Sequence, residues 1–140
     1  MVKYQMDRIT PAERSAQMSL VKSKNTGPEL VVRKLAHSLG YRYRLYAAGL
    51  PGKPDLVFAK RKKVVFVHGC FWHRHAGCRR ATTPATNLDY WLPKFERTIE
   101  RDGQNIKELF SLGWSVLVVW ECELKNTGDL ANKLRAFLDG

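Results

Sequence analysis

A chain of 140 residues with 44% hydrophobic residues fits one compact domain and can build a real core, which excludes wholesale disorder. No apolar run approaches the ~20 residues a bilayer span needs, and Met1-Val2-Lys3-Tyr4-Gln5-Met6-Asp7 lacks the apolar core of a signal peptide, so an intracellular, cytoplasmic protein is expected. The net charge of +11 is uneven: residues 1–80 carry 17 Lys and Arg against 4 Asp and Glu, and residues 81–140 carry 7 against 9. A half so basic is either a nucleic-acid surface or only a solvated one.

No repeat, low-complexity tract or long linker divides the chain, so a single domain over 1–140 is expected, with residues 1–25 as an N-terminal helical arm in a basic setting. Thr10-Pro11-Ala12-Glu13 has a capping-box pattern with proline at the first helical position, which predicts a short helix to about Lys22. Thr26-Gly27-Pro28-Glu29 repeats the pattern. Leu30, Val31, Leu35 and Leu39 form the stripe of a second helix that Gly40 ends. Tyr41 to Tyr46 alternates apolar or aromatic residues with arginine, as a half-buried strand does. After the turn Leu50-Pro51-Gly52-Lys53-Pro54, strands are expected at Asp55–Phe58 and Val64–Val67, joined by the basic turn Lys60-Arg61-Lys62-Lys63.

A long loop runs from His68 to about Asn87. A helix covers much of 89–112, where Pro93 predicts a late start or a kink. The apolar run Val116–Trp120 predicts a fully buried central strand. Thr127 caps a last helix ending near Leu138. The order, with strands and helices mixed, predicts an α/β fold: a mixed sheet with helices on both faces.

Cys70, His75 and Cys78 lie within nine residues, and Cys122 sits just past the apolar run. Three thiolates and one imidazole form a common complement for tetrahedral structural zinc. The set uses every cysteine of a chain whose odd count and expected reducing compartment disfavour disulfides. The alternatives are a Cys70–Cys78 disulfide, or three unrelated buried cysteines and a surface histidine.

Pro54-Asp55 opens one strand and Val67-His68 ends the next, so adjacent pairing brings the Asp55 carboxylate to the strand end that carries His68. A carboxylate there, in a basic region, fits Mg²⁺, which takes few protein oxygens and keeps substrate phosphates and waters. It also fits plain turn stabilisation. His73 is either a base for an attacking water or an ordinary loop histidine, and His68 carries the same choice. Glu29, third in its capping box, is accounted for by capping alone. Phe71 and Trp72, with Trp91 near the start of the next helix, are either core packing or apolar wedges of the kind that open base steps. Lys94 is counted with them among the DNA-contacting residues.

Leu50-Pro51-Gly52-Lys53-Pro54-Asp55, Val67-His68-Gly69-Cys70-Phe71-Trp72-His73, Pro84-Ala85-Thr86 and Trp120-Glu121-Cys122 together resemble the very-short-patch repair endonucleases, over about Ala12 to Cys122. The resemblance implies a restriction-endonuclease-like core that nicks one DNA strand 5′ of the thymine in a T·G mismatch, the lesion left when 5-methylcytosine deaminates. It implies that Asp55 and the backbone carbonyl of Val67 hold Mg²⁺, that His73 activates water with help from Glu29, and that His68 contacts the scissile phosphate or leaving group. It implies structural Zn²⁺ on Cys70, His75, Cys78 and Cys122, and entry of Phe71, Trp72 and Trp91 into the DNA. The partners implied are mismatched double-stranded DNA and mismatch-repair proteins, with the enzyme a monomer.

The departures are Val67, without the hydroxyl of the best-known pattern; Arg74, where a further histidine can stand; a zinc loop one residue longer; and Thr98, where an asparagine can read the mismatch. The acid-x-lysine pair of the wider nuclease superfamily is absent. A restriction-like nuclease with another target, and a zinc-stabilised DNA-binding module without catalysis, are the two rival readings.

Overall fold

A computed structural model describes residues 27–45 and 49–140; the expected helix to Lys22, the N-terminal arm and Tyr46 lie outside the described residues. Helix α1 (Gly27–Ser38) is followed by strand β1 (Leu56–Phe58), a 3₁₀ turn at Ala59–Arg61, strand β2 (Lys63–His68), helix α2 (Leu88–Ser111), strand β3 (Ser115–Trp120), a 3₁₀ turn at Glu121–Lys125 and helix α3 (Thr127–Asp139). β1 and β2 pair antiparallel, with Leu56 opposite Val65; β2 and β3 pair parallel, with His68 opposite Trp120. The mixed sheet therefore has β2, not β3, at its centre among the described residues.

Strand alternation splits the core in two. Leu56, Phe58, Val65 and Val119 face Val32 and Ala36 of α1 and Leu130, Leu134 and Leu138 of α3. Val57, Val64 and Phe66 face Leu109 of α2. Val64 and Val65 are both fully buried, and each such valine contributes about 1.5–3 kcal/mol by leaving water. Helices on both faces are thus as expected. The run Val116–Trp120 is only half covered, and within it Val119 alone is buried. Its unbroken apolarity predicts a strand with no exposed face, but β3 lies at the described sheet's edge.

Three further expectations change. The strand expected at Tyr41–Tyr46 is one antiparallel bridge, Arg44 to Val57, because β1 offers only three residues to pair with. The alternation still orients side chains, and the Tyr41 and Tyr43 rings meet Phe58 edge-on at 6.5 and 6.1 Å. Helix α2 starts at Leu88 and runs through Pro93; Pro93 and Asp89 are both exposed, so solvent can satisfy the Asp89 carbonyl that proline leaves unbonded. The cap of α3 is Asn126, whose side chain accepts the Asp129 N–H at 3.0 Å, and Thr127 is the first helical residue.

The basic turn does structural work. Arg61 Nη1 donates to the Leu138 carbonyl at 2.8 Å, and Lys63 Nζ to those of Phe137 and Gly140 at 2.6 and 2.8 Å. These are the open carbonyls at the end of α3, where a cation is favoured. Because β2 runs from Lys63 to His68, this part of the positive charge sits at the end of the strand away from His68. Among the described residues no helix is long and apolar enough to cross a membrane.

Candidate active site and metal centre

The turn before Asp55 is tightly set. Gly52 has a left-handed φ of +75°, and a Cβ there would stand 2.9 Å from the Asn105 amide nitrogen of α2, so glycine is required both by conformation and by space. The turn delivers Asp55, whose N–H donates to the Val65 carbonyl at 3.0 Å while its Oδ2 accepts the Val67 N–H at 2.6 Å. In an extended strand a residue's N–H and C=O share an edge, so the Val67 carbonyl faces the edge that Asp55 occupies.

Glu29, on α1, is 3% exposed, and its carboxyl is hydrogen-bonded to that of Asp55. Thr26, its expected capping partner, lies outside the described residues; capping is not all that Glu29 does. Burial first, then the hydrogen bond and charge of Glu29, push the Asp55 carboxyl up to about 8, against the opposing Val67 N–H and Arg33. Arg33, on the next turn of α1, stands 3.9 Å from Glu29. A buried and a half-buried carboxyl that share a hydrogen bond fit a divalent cation, which would offset the charge that burial penalises.

The histidines approach from the side of α2. His73 Nδ1 lies 2.7 Å from Asp102 Oδ2, and its ring stacks on that of His68 at 3.8 Å and 7°. His68 is 6% exposed, wedged between Phe66 and the edge of Trp120, and its Nδ1 has no hydrogen-bond partner among the described residues. Burial first, then the neighbouring His73, pull it down to about 4, with Asp102 opposing; His68 is a neutral imidazole. The donor atoms of His68, His73 and Asp102 lie within 4.8 Å of one another. Yet stacked rings confine their in-plane lone pairs to parallel planes, here with ring centroids 3.8 Å apart, so the two do not aim at one ion. A stacked imidazole pair, with His73 hydrogen-bonded to Asp102, is the better description.

Asp102 escaped the sequence reading. A signal was present: Trp91, Phe95, Thr98, Asp102 and Leu109 fall at helical spacing, so the carboxylate lies on the stripe that α2 turns toward the sheet.

The four sulfur and imidazole donors converge as expected. Cys70, His75, Cys78 and Cys122 bring one donor atom each within 4.8 Å of the others, with His75 Nδ1 at 3.6 Å from the Cys70 sulfur and 3.4 Å from that of Cys122. Zinc–sulfur and zinc–nitrogen bonds of about 2.3 and 2.0–2.1 Å give tetrahedral edges of roughly 3.5–3.8 Å, close to these separations. All three cysteines are free, so the Cys70–Cys78 disulfide is not formed. Burial pushes the Cys70 thiol up to about 12, and its thiolate would need a cation beside it.

A second residue missed from sequence joins the clusters. Trp120 stacks on the His75 ring at 4.2 Å and 7° and meets His68 edge-on at 5.2 Å, so the sulfur-rich centre and the imidazole pair share one indole.

Phe71 and Trp72 are half-buried. They join Trp91 in a contiguous aromatic group, with ring centroids 5.2, 5.8 and 5.9 Å apart. Trp91 is 7% exposed and lies on Phe95, another residue the sequence reading did not single out. Lys94 is half-buried on the same helix, and its carbonyl accepts the hydroxyl of the buried Thr98 at 3.0 Å. The Thr98 hydroxyl is thus bound to its own helix.

Residues 6–80 match the family model described as DNA mismatch endonuclease Vsr. The chain is 52% identical over 133 residues to the "Type II nicking enzyme V.XorIIP" of Xanthomonas oryzae pv. oryzae, covering 95% of this chain and 97% of the relative. It is 39% identical over 122 residues to the "DNA mismatch endonuclease Vsr" of Escherichia coli, covering 87% and 78%. Among solved structures, the catalytic domain of the homing endonuclease I-Bth0305I shares the fold, with a TM-score of 0.55 at 18% identity, covering 81% of this chain and 94% of that one.

Proposed function

The chain belongs to the Vsr family of DNA mismatch endonucleases, and on that premise we propose that it nicks one strand of double-stranded DNA 5′ of the thymine in a T·G mismatch, with Mg²⁺ at Asp55 and structural Zn²⁺ at Cys70, His75, Cys78 and Cys122. That it is a DNA endonuclease follows from its family. The observation that carries the finer reading is the pairing of the Asp55–Glu29 carboxyl couple, half-buried at Asp55 and buried at Glu29, with the His73–Asp102 hydrogen bond at the same end of β2.

Each residue has a chemical task. Asp55 and the Val67 carbonyl would hold Mg²⁺, with Glu29 beside Asp55, and the bound ion would supply charge stabilisation to phosphoryl transfer. Asp102 accepts the His73 Nδ1–H and so fixes the tautomer whose Nε2 lone pair takes a proton from the attacking water. His68, kept neutral by burial, presents an imidazole to the scissile phosphate. Phe71 and Trp72, backed by the buried Trp91, offer aromatic rings to a mismatched step, which is cheaper to unstack than a paired one, and Lys94 lies on the same helix as Trp91. Asp102→Asn should lower kcat by about 10²–10⁴-fold, with a smaller change in KM, because an amide can hold His73 in the wrong tautomer. Steady-state nicking kinetics check this, and an unchanged kcat would remove Asp102 from the mechanism.

A second reading has its own support. The relative from Xanthomonas is named a Type II nicking enzyme, as is one from Neisseria meningitidis at 48% identity over 120 residues; site-selective nicking without a mismatch requirement is therefore the alternative. Strand-labelled T·G and T·A duplexes in a panel of flanking sequences decide between them. Nicking confined to the T-containing strand of T·G duplexes supports mismatch repair, whereas equal nicking of T·A duplexes supports the alternative.

A further inference from the structure

Arg74 stands where the family pattern can carry a histidine, and its surroundings explain an arginine. Its backbone is left-handed, with φ at 55°, which turns the side chain back across the loop. Nη1 donates to the Phe71 carbonyl at 3.2 Å and to that of Thr82 at 3.0 Å, while Nη2 donates to that of Ala81 at 3.1 Å. The guanidinium carbon lies 3.9 Å from the Phe95 ring centroid and 5.4 Å from that of Phe71. One planar cation thus joins three segments: the limb bearing Phe71 and Trp72, the limb leaving Cys78, and helix α2.

Only a guanidinium does this. Its donors lie in the plane and bind carbonyls while its face covers a ring; a lysine ammonium is a point charge that cannot do both.

We propose that Arg74 is a positioning residue that latches the aromatic loop, holding Phe71 and Trp72 in the orientation in which they engage a mismatched base step. This rests on the reading of those rings as DNA wedges. The latch acts on binding and not on the reacting atoms, and it makes no phosphate contact of its own: three of its five N–H groups go to carbonyls of the loop, and its face covers Phe95.

The test uses the full chain with zinc, and a T·G duplex carrying 2-aminopurine beside the thymine. Arg74→Ala and Arg74→Lys should both raise KM about tenfold, the loss expected when charge-assisted hydrogen bonds go, with a smaller fall in kcat. Both should weaken the 2-aminopurine fluorescence gain on binding, and bound zinc should stay at the wild-type level. Methylguanidinium should restore the fluorescence gain to Arg74→Ala. Phe95→Leu, which leaves every loop hydrogen bond in place, should reproduce the KM effect in part.

The proposal is overturned if Arg74→Lys behaves as wild type, since charge alone would then suffice. It is also overturned if Arg74→Ala reduces the slope of log affinity against log salt by about one, the mark of a lost phosphate contact, or if it loses zinc. A wild-type protein with no fluorescence gain would remove the wedge reading itself. A normal wild-type gain that Arg74→Ala leaves intact would remove the latch alone.

Discussion

Replacing Asp55 by asparagine should abolish nicking, by about 10³-fold or more, while DNA binding persists. The magnitude follows from the several kcal/mol of charge stabilisation that a metal supplies to phosphoryl transfer, each 1.36 kcal/mol being tenfold in rate. Asparagine keeps the shape and can still accept the Val67 N–H, but it removes the anionic ligand.

The same carboxyl gives a pH signature in the metal-free protein. Its folded pKa, at about 8, lies above the ordinary carboxylate range, so between roughly pH 4 and 8 the native state binds more protons than the unfolded one. Stability should therefore be highest at the acidic end of that window and fall as pH rises through it. Mg²⁺ should restore stability at pH 8 by binding the carboxylate form. Thermal melts against pH, with and without Mg²⁺, check this: Asp55→Asn should flatten the decline and remove the Mg²⁺ effect. A wild-type melting temperature independent of both pH and Mg²⁺ would sink the assignment of Asp55 as a metal ligand.

Cys122→Ser should release zinc and unfold the loop from His68 to Asn87, with nicking lost along with it. The scale is large, because a structural zinc site contributes about 10–16 kcal/mol, comparable with the stability of an entire domain. Loss should reach the active site directly. Cys122 is the one sulfur that comes from outside the loop, from the 3₁₀ turn after β3, and its removal frees His75 from the stack on Trp120 whose edge meets His68. Metal analysis by mass spectrometry and limited proteolysis of the loop provide the readouts. Wild-type zinc content and an intact loop in Cys122→Ser would remove the zinc assignment.

Much of the candidate site was legible from local order. The four sulfur and nitrogen donors needed only short spacings and one distant cysteine. Asp55 beside His68 needed only two adjacent strands with a turn of known length. Asp102, Phe95 and Trp120 were not legible as site residues, because each acts through a contact made across the fold. Asp102 reads as one more charge on a long helix until α2 is laid against the sheet. Glu29 shows the same limit: its position in a capping pattern was sufficient local explanation, and only the packing of α1 against the sheet brought it to Asp55.

Periodicity, residue chemistry and short spacings act within a few residues, and from these alone the α/β class, the two-faced core, the family and the donor set could be read. Only the packed molecule shows that β2 and not β3 is central among the described strands, that part of the basic excess closes the end of α3, and that two histidines stack while one of them is hydrogen-bonded to a carboxylate from α2. These depend on which surfaces meet, and pairing partners far apart in the chain leave no periodic trace in either segment.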